Sequence, residues 1–433
     1  MKINDVYRAI RPLLQRIGLL GLARRLMTPQ MRAQVAQNIG LGGYIAPLPP
    51  RAPYRGAVRA DGVNYIADLR ADIGVGESAR GIYDAMRAAG IAIHYQEIET
   101  PLIRRSAPLA AVTNPSKNYG VTLAHLNPPE LHLGVERYPD AFHRCYTIGY
   151  WLWEVPRFPE RWLSRMAVLD ELWTSSRYTQ NILSQVTNLP VIYMPIPVTV
   201  APQPVTHAEF GLPEGRFIFF FAFNPGSSVA RKNPYGVIEA YRRAFLGMEN
   251  APLLVIKAHH LSQHPTIADP LREAVRGVKG ILIEDHLTRS QMHGLTALAD
   301  CVVSLHRAEG FGLLIAEAMA LGRPVIATGY SSNMDFMTPA NSFPVRYTLR
   351  DITTADHHDQ PLLGEVYAPG QLWAEPDLDH AAELMQYVIN HPAQAHQYGA
   401  AAQHDLTHGW SAQAVGHLIT ERLNQIAQRS SST

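Results

Sequence analysis

The sequence predicts an α/β protein of two doubly wound domains facing each other across a cleft. Three observations predict it. Short apolar strand candidates alternate with helical patterns in both halves. A stretch with four prolines, 194–204, separates those halves and cannot be an interior element. The 433 residues, 47% apolar and 17% charged, are enough for two or three separate cores.

In chain order, 1–60 reads as a basic helical extension and linker. Residues 1–40 hold seven cations (Lys2, Arg8, Arg11, Arg16, Arg24, Arg25, Arg32) against the single acid Asp5. Val6, Ile10, Leu13, Leu14 and Ile17 recur near helical spacing. One reading is peripheral contact with anionic lipid. The other is a helix packed on the body of the protein or on a second subunit, favoured by Gly18 and Gly21, which weaken a surface helix.

A first Rossmann-like domain is expected over 61–200. Strands are expected at 63–67, 91–98, 121–124, 146–151 and 171–174, with helices at 77–89, 160–169 and 178–186. A second such domain is expected over 207–390. Its strands fall at 217–222, 253–257, 280–284, 301–305 and 324–328, and helical patterns lie between them. Runs this apolar suit central parallel strands. A loop-rich insert follows at 350–372, and 391–433 reads as C-terminal helices packing back toward the first domain. Ligands belong in the cleft, beyond the carboxyl ends of the strands.

A net charge of +1 gives no global attraction to nucleic acid. Cys145 and Cys301 both lie in apolar runs, so a disulfide framework is unsupported and a reducing compartment fits. No stretch approaches the roughly 20 apolar residues of a membrane span, and no signal-peptide pattern opens the chain. The expected location is cytoplasmic, or peripheral on the inner face of the membrane if 1–40 binds lipid. The histidine pairs His259-His260 and His357-His358 are adjacent, a poor chelate spacing, and no aspartate pair marks a strand end. Neither a metal nor a cofactor is expected.

The most informative run is 304–328. Glu309 and Glu317 stand eight positions apart, with Gly310-Phe311-Gly312 between them. A strand ends near Leu305, and a helix runs from about Gly312 to Gly322, with Pro324 as breaker. The helix N-terminus offers free N–H groups to an anion. A second segment, 223–234, places Arg231 and Lys232 between a strand and a helix that opens at Pro234. Fixed cations there suit a phosphate-bearing ligand. A third, 72–78, carries Gly74 and Gly76 at a strand-to-helix junction, where backbone can approach a phosphate.

Glu309-Gly310-Phe311-Gly312, Glu317, Ala318-Met319-Ala320, Gly322 and 324–328 together resemble the signature of family-4 retaining glycosyltransferases, over roughly 62–425. The resemblance implies the GT-B fold. It implies that Glu317 accepts hydrogen bonds from the nucleotide ribose and that Glu309 lies by the donor sugar. Gly310, Phe311, Gly312 and Leu313 would bring backbone to sugar and diphosphate, and Arg231 and Lys232 would hold the diphosphate. The family usually carries an arginine where this chain has Ser227, and paired glycines and a glutamate where it has Ser331, Ser332 and Asp335. Ser332 and Asn333 are implied donor contacts, as are Gly74 and Gly76. His125, ending a strand, would touch the donor sugar. Trp151, Trp153 and Glu154 would wall the acceptor site.

The implied activity is metal-independent, retaining transfer of a hexose to a glycan or lipid-linked glycan. GDP-mannose is the first donor expected, because 304–313 looks like the version in bacterial polysaccharide mannosyltransferases. Rival readings are a nucleotide-sugar epimerase or a phosphorylase on the same fold. A non-catalytic nucleotide-sugar-binding partner in polysaccharide assembly is a third. The sequence leaves the oligomeric state open.

Overall fold

The computed structural model describes residues 61–100, 118–259, 261–357 and 366–430, with Leu48, Tyr54, Gly56, Val58, Arg59 and Arg105. The basic segment 1–40 and both of its readings lie outside the described residues, as do His260 and His358.

The first sheet comprises β1 (Val63–Ala67), β2 (Ile93–Glu97), β3 (Val121–Ala124), β4 (Tyr146–Tyr150), β5 (Glu171–Thr174) and β6 (Val191–Tyr193). Its order is β2-β1-β3-β4-β5-β6, parallel throughout. The second comprises β7 (Ile218–Phe223), β8 (Leu253–Ala258), β9 (Ile281–Ile283), β10 (Cys301–Ser304), β11 (Val325–Thr328) and β12 (Phe343–Val345). Its order is β12-β11-β10-β7-β8-β9, again all parallel. Every residue of β1, β3, β5, β8, β10 and β11 is buried, because helices cover both sheet faces.

Each sheet reverses its winding beside its first strand, between β1 and β3 and between β7 and β10. At such a reversal the two flanking loops leave on opposite faces and open a crevice. In the second sheet those loops are 224–233, which holds the basic pair, and 305–312, which holds Glu309.

The proline-rich stretch is tied to both halves. On the first half, Tyr150 Oη donates to the Met194 carbonyl at 2.8 Å, and on the second, Gln203 N–H donates to that of Ser290 at 3.0 Å. The last helix, Ala412–Ser430, lies against Gly74–Ala88 of the first half. Contact is so close that a Cβ on Gly416 would stand 2.4 Å from the Ala85 carbonyl oxygen. Arg422 grips the fully buried Glu171 there through two bonds of 2.9 and 2.5 Å.

Some elements differ from expectation. Residues 160–168 form a 3₁₀ helix, not an α-helix, with Trp162, Arg165, Met166 and Val168 buried. The expected insert at 350–372 is flanked by a ribbon of β13 (Tyr347–Asp351), paired antiparallel with β14 (Leu372–Pro376). Among the described residues no helix is long and apolar enough to cross a membrane.

Candidate active site

The second sheet's crevice is built by a rigid basic turn. The one-turn helix Val229–Lys232 is bracketed by two non-glycine residues at positive φ, Ser228 (+70°) and Asn233 (+56°). Ser228 Oγ accepts from Arg231 N–H at 3.2 Å. Asn233 caps the next helix through Gly236 N–H at 3.1 Å, and its amide donates to the Leu305 carbonyl at 2.8 Å. The turn after β7 is thereby fastened to the end of β10, which offsets the conformational strain at 228 and 233.

Three charges meet there. Lys232 Nζ lies 2.5 Å from Glu309 Oε1, and Arg231 Nη1 lies 3.3 Å from Oε2. Arg231 also donates to the carbonyls of Ala308 (2.8 Å) and Ser227 (3.0 Å) and approaches Glu154 at 3.6 Å. Its guanidinium thus reaches back over position 227, where the resembled family usually carries its arginine. Glu309 N–H donates to Ser331 Oγ at 2.9 Å, with Ser331 held at φ +70°.

Burial alone would raise the Glu309 pKa, but Lys232, Arg231 and His306 outweigh it and hold the carboxylate at about 2. Burial works against the Arg231 charge, yet Tyr367, Glu154 and Glu309 raise its pKa further. Lys232 sits below the ordinary lysine value through burial and through Arg231 beside it, despite Glu309. The site holds a fixed carboxylate between two cations.

A cavity of about 600 Å³ opens over this cluster. Arg231, Lys232, Glu309, Gly310, Phe311, Gly312 and Leu313 line it from one side, and Gly74, Asn127 and Glu154 from the other. A second cavity of about 500 Å³ shares Asp72, Gly74 and Leu313 with it and extends to Lys257, Arg289 and Glu317. Their size suits a ligand of nucleotide-sugar dimensions. The helix Leu313–Ala320 starts at their common wall, after Gly312 at φ +95°. Its first turn supplies N–H groups that have no partner within the helix.

Glu317 is held by Arg289 Nη2 at 3.4 Å and faces His293 Nε2 at 3.3 Å. Ala201 N–H donates to His293 Nδ1 at 3.1 Å, so in neutral His293 the proton is on Nε2, facing Glu317. Arg289 Nη1 reaches Glu77 of the first half at 2.7 Å, so one guanidinium spans the cleft between two carboxylates.

The other expected residues lie elsewhere. His125 is buried, stacked on Tyr150 at 4.2 Å, with Tyr65 Oη and Ser78 Oγ each 3.0 Å from a ring nitrogen. Burial lowers its pKa to about 3. Gly76 is there for packing, since a Cβ would stand 2.2 Å from the Ala71 carbonyl. The Trp151 and Trp153 rings are core: Trp151 stacks on Phe158 and Trp153 meets Trp162 edge-on, so of the expected acceptor wall only Glu154 faces the cavity. Ser332 bonds Ser176 across the domains at 2.8 Å, and the Asn333 amide donates to the Thr328 carbonyl at 3.0 Å. Both are fully buried and line neither cavity. Together with Tyr178–Tyr330 (2.8 Å) and Arg177 N–H to Asp335 (2.7 Å), Ser332 clasps the two halves.

Sequence reasoning missed Tyr367, which donates to Glu154 and lies under Arg231, 5.9 Å from ring centre to guanidinium. It also missed Arg289 and the trio Asp72, His259 and His286, whose ligand atoms all lie within 4.8 Å of one another. The expectation that no metal-ligating group exists rested on spacing along the chain, and these three are far apart in sequence. Only their position at strand ends could have signalled them.

Two facing α/β domains with a charged crevice at the cleft make the GT-B architecture. Residues 243–342 match the family model described as glycosyl transferases group 1. No curated protein matches the sequence. Among solved structures, the chain is similar to a glycosyltransferase from Rickettsia africae (TM-score 0.59, 13% identity, 84% of this chain and 98% of that one). It is also similar to Anabaena HepE in complex with UDP and glucose (0.59, 13%, 84% and 99%). Sucrose-phosphate synthase from Thermosynechococcus elongatus is a third (0.59, 15%, 85% and 100%). At these identities the likeness is one of fold.

Proposed function

We propose that the protein is a retaining glycosyltransferase that moves a hexose from a nucleotide diphosphate sugar to a glycan or lipid-linked glycan. The observation that carries this reading is the Arg231–Glu309–Lys232 cluster at the second crevice, walled on its far side by Gly74 and Glu154 of the other domain.

The diphosphate lies against Arg231, Lys232 and the first turn of Leu313–Ala320, where charge developing on the leaving group meets preorganised donors. These two cations supply the stabilisation that a metal–diphosphate complex would give elsewhere. Glu309 orients both cations and presents its carboxylate to the sugar hydroxyls. Glu317 takes the ribose hydroxyls in the adjoining cavity. The acceptor hydroxyl attacks from the face the diphosphate leaves, and a diphosphate oxygen takes its proton. GDP-mannose is the first donor to test, on the likeness of 304–313 to mannosyltransferases; UDP-hexoses come next, because HepE was solved with UDP and glucose.

A thermal-shift panel of nucleotide sugars, then NMR of the anomeric product, tests the reading. Stabilisation by one donor class and a retained linkage are expected. No stabilisation by any nucleotide sugar removes the donor site, and an inverted linkage removes retention. Turnover of the nucleotide sugar without an acceptor, or only with free phosphate, would move the assignment to the epimerase or phosphorylase reading.

A further inference from the structure

We propose that Asp72, His259 and His286 form a binding site for a divalent transition-metal ion of the zinc class, which staples the two domains together across the cleft. One ligand atom from each lies within 4.8 Å of the other two. His259 Nε2 stands 3.8 Å from Asp72 Oδ2, and the imidazole rings of His259 and His286 have centroids 5.4 Å apart. Ligand atoms around a tetrahedral ion with bonds of about 2.1 Å are roughly 3.4 Å apart, so contraction of the trio by roughly 1 Å completes the geometry.

The chain contributes these groups from three strand ends in two domains. Asp72 follows β1 of the first sheet, His259 directly follows β8, and His286 follows β9. His259 is fixed by its own N–H, which donates to the Phe223 carbonyl at 3.0 Å. The neighbours β8 and β9 therefore present two imidazoles side by side, and the other domain brings the carboxylate. Two imidazoles and one carboxylate suit zinc-class ions and leave a fourth position for water or for an oxygen of whatever fills the cavity. Magnesium, which asks for oxygen ligands, fits this set poorly. All three residues line the 500 Å³ cavity, and none is fully buried, so an ion has a route in.

Because the ligands are divided between domains, ion binding and closure are coupled, and each strengthens the other. The histidine pair sets most of the affinity; Asp72 adds its share only when the cleft is closed. This site lies beside the Arg231–Lys232 cluster and does not replace it, so its test needs no turnover.

The test is a Co²⁺ titration of the full chain, read by visible absorption and by small-angle X-ray scattering. A second place must be removed first: His404 and His408 stack on an exposed helix face with ring centroids 4.2 Å apart, a pair that would also take metal. The parent for all measurements therefore carries His404→Ala. One equivalent of Co²⁺ is expected to give the intense bands of a four- or five-coordinate site and to reduce the radius of gyration. His259→Ala and His286→Ala should each weaken binding at least tenfold while leaving the metal-free melting temperature unchanged. Asp72→Ala should bind severalfold more weakly and lose the ion-induced compaction. Equal Co²⁺ affinity in the parent and both histidine variants overturns the site. Compaction that persists in Asp72→Ala overturns the staple.

Discussion

The two domains carry the same kind of crevice, at the carboxyl ends of β1 and β3 in one and of β7 and β10 in the other, yet among the described residues the second opens far wider and carries the buried ion cluster. In the first, Asp68 is taken by Arg105 at 3.1 Å, and His125 by Tyr65 and Ser78. What remains is a cavity of about 90 Å³. In the second, Arg231, Lys232 and Glu309 pair with one another on the wall of about 600 Å³. Topology provides the place in both. In both, the polar groups pair within their own domain; what separates the two is that the second leaves its ion cluster on the wall of a cavity large enough for a ligand.

The largest expected effect follows from that contrast. Lys232→Ala should lower kcat by on the order of 10²–10³, the usual loss when one preorganised donor to a developing anion is removed. His125→Ala should instead reduce the melting temperature, because it strips two hydrogen bonds and a stacked ring from a core, and should change kcat less than tenfold. Steady-state kinetics beside thermal unfolding separates the two. A hundredfold kcat loss in well-folded His125→Ala would erase the distinction between the crevices.

Next is Glu309 and pH. Its carboxyl, normally near 4.5, is held at about 2 by its cations, so it stabilises the folded state above pH 4.5. That contribution fades as pH falls toward 2. The shift corresponds to about 3 kcal/mol, an order-of-magnitude figure for a nearly buried carboxylate. Glu309→Gln should therefore be less stable than wild type at neutral pH, with the gap narrowing below pH 4.5. Denaturant unfolding at several pH values checks this, and a gap independent of pH would contradict the ion-pair account.

Much of this was legible in the chain. The central strands declared themselves as apolar runs because both faces of a parallel strand are buried. Arg231, Lys232 and Glu309 were legible because they adjoin such runs, and a strand end in a doubly wound sheet is already a place in space. Contacts between distant segments were not. Tyr367 reaches Glu154 across 213 positions, and no periodicity marks it. Trp151 and Trp153 misled because an aromatic at a strand end reads the same whether its ring turns to the cleft or to the core. Residues 160–168 misled because the buried Trp162, Arg165, Met166 and Leu169 have the spacing of an α-helical stripe, although the segment is a 3₁₀ helix.

The smallest effects come from two glycines in one turn, and they sharpen the contrast most finely. Gly74 and Gly76 both open the helix Gly74–Ala88 and read alike in the sequence. A Cβ at Gly76 would meet the Ala71 carbonyl oxygen at 2.2 Å and its carbon at 2.9 Å, backbone atoms that cannot swing aside. Gly76→Ala should cost about 1–3 kcal/mol of stability by overpacking. A Cβ at Gly74 would meet only Leu313 Cδ1, at 3.8 Å, across the cleft. Gly74→Ala should fold within about 0.5 kcal/mol of wild type. Its methyl group would project into the space between the domains, so its effect should be a higher donor KM at little-changed kcat. If Gly74→Ala unfolds as readily as Gly76→Ala, the first domain's loop serves its own packing at both positions, and the cleft has lost one of its walls.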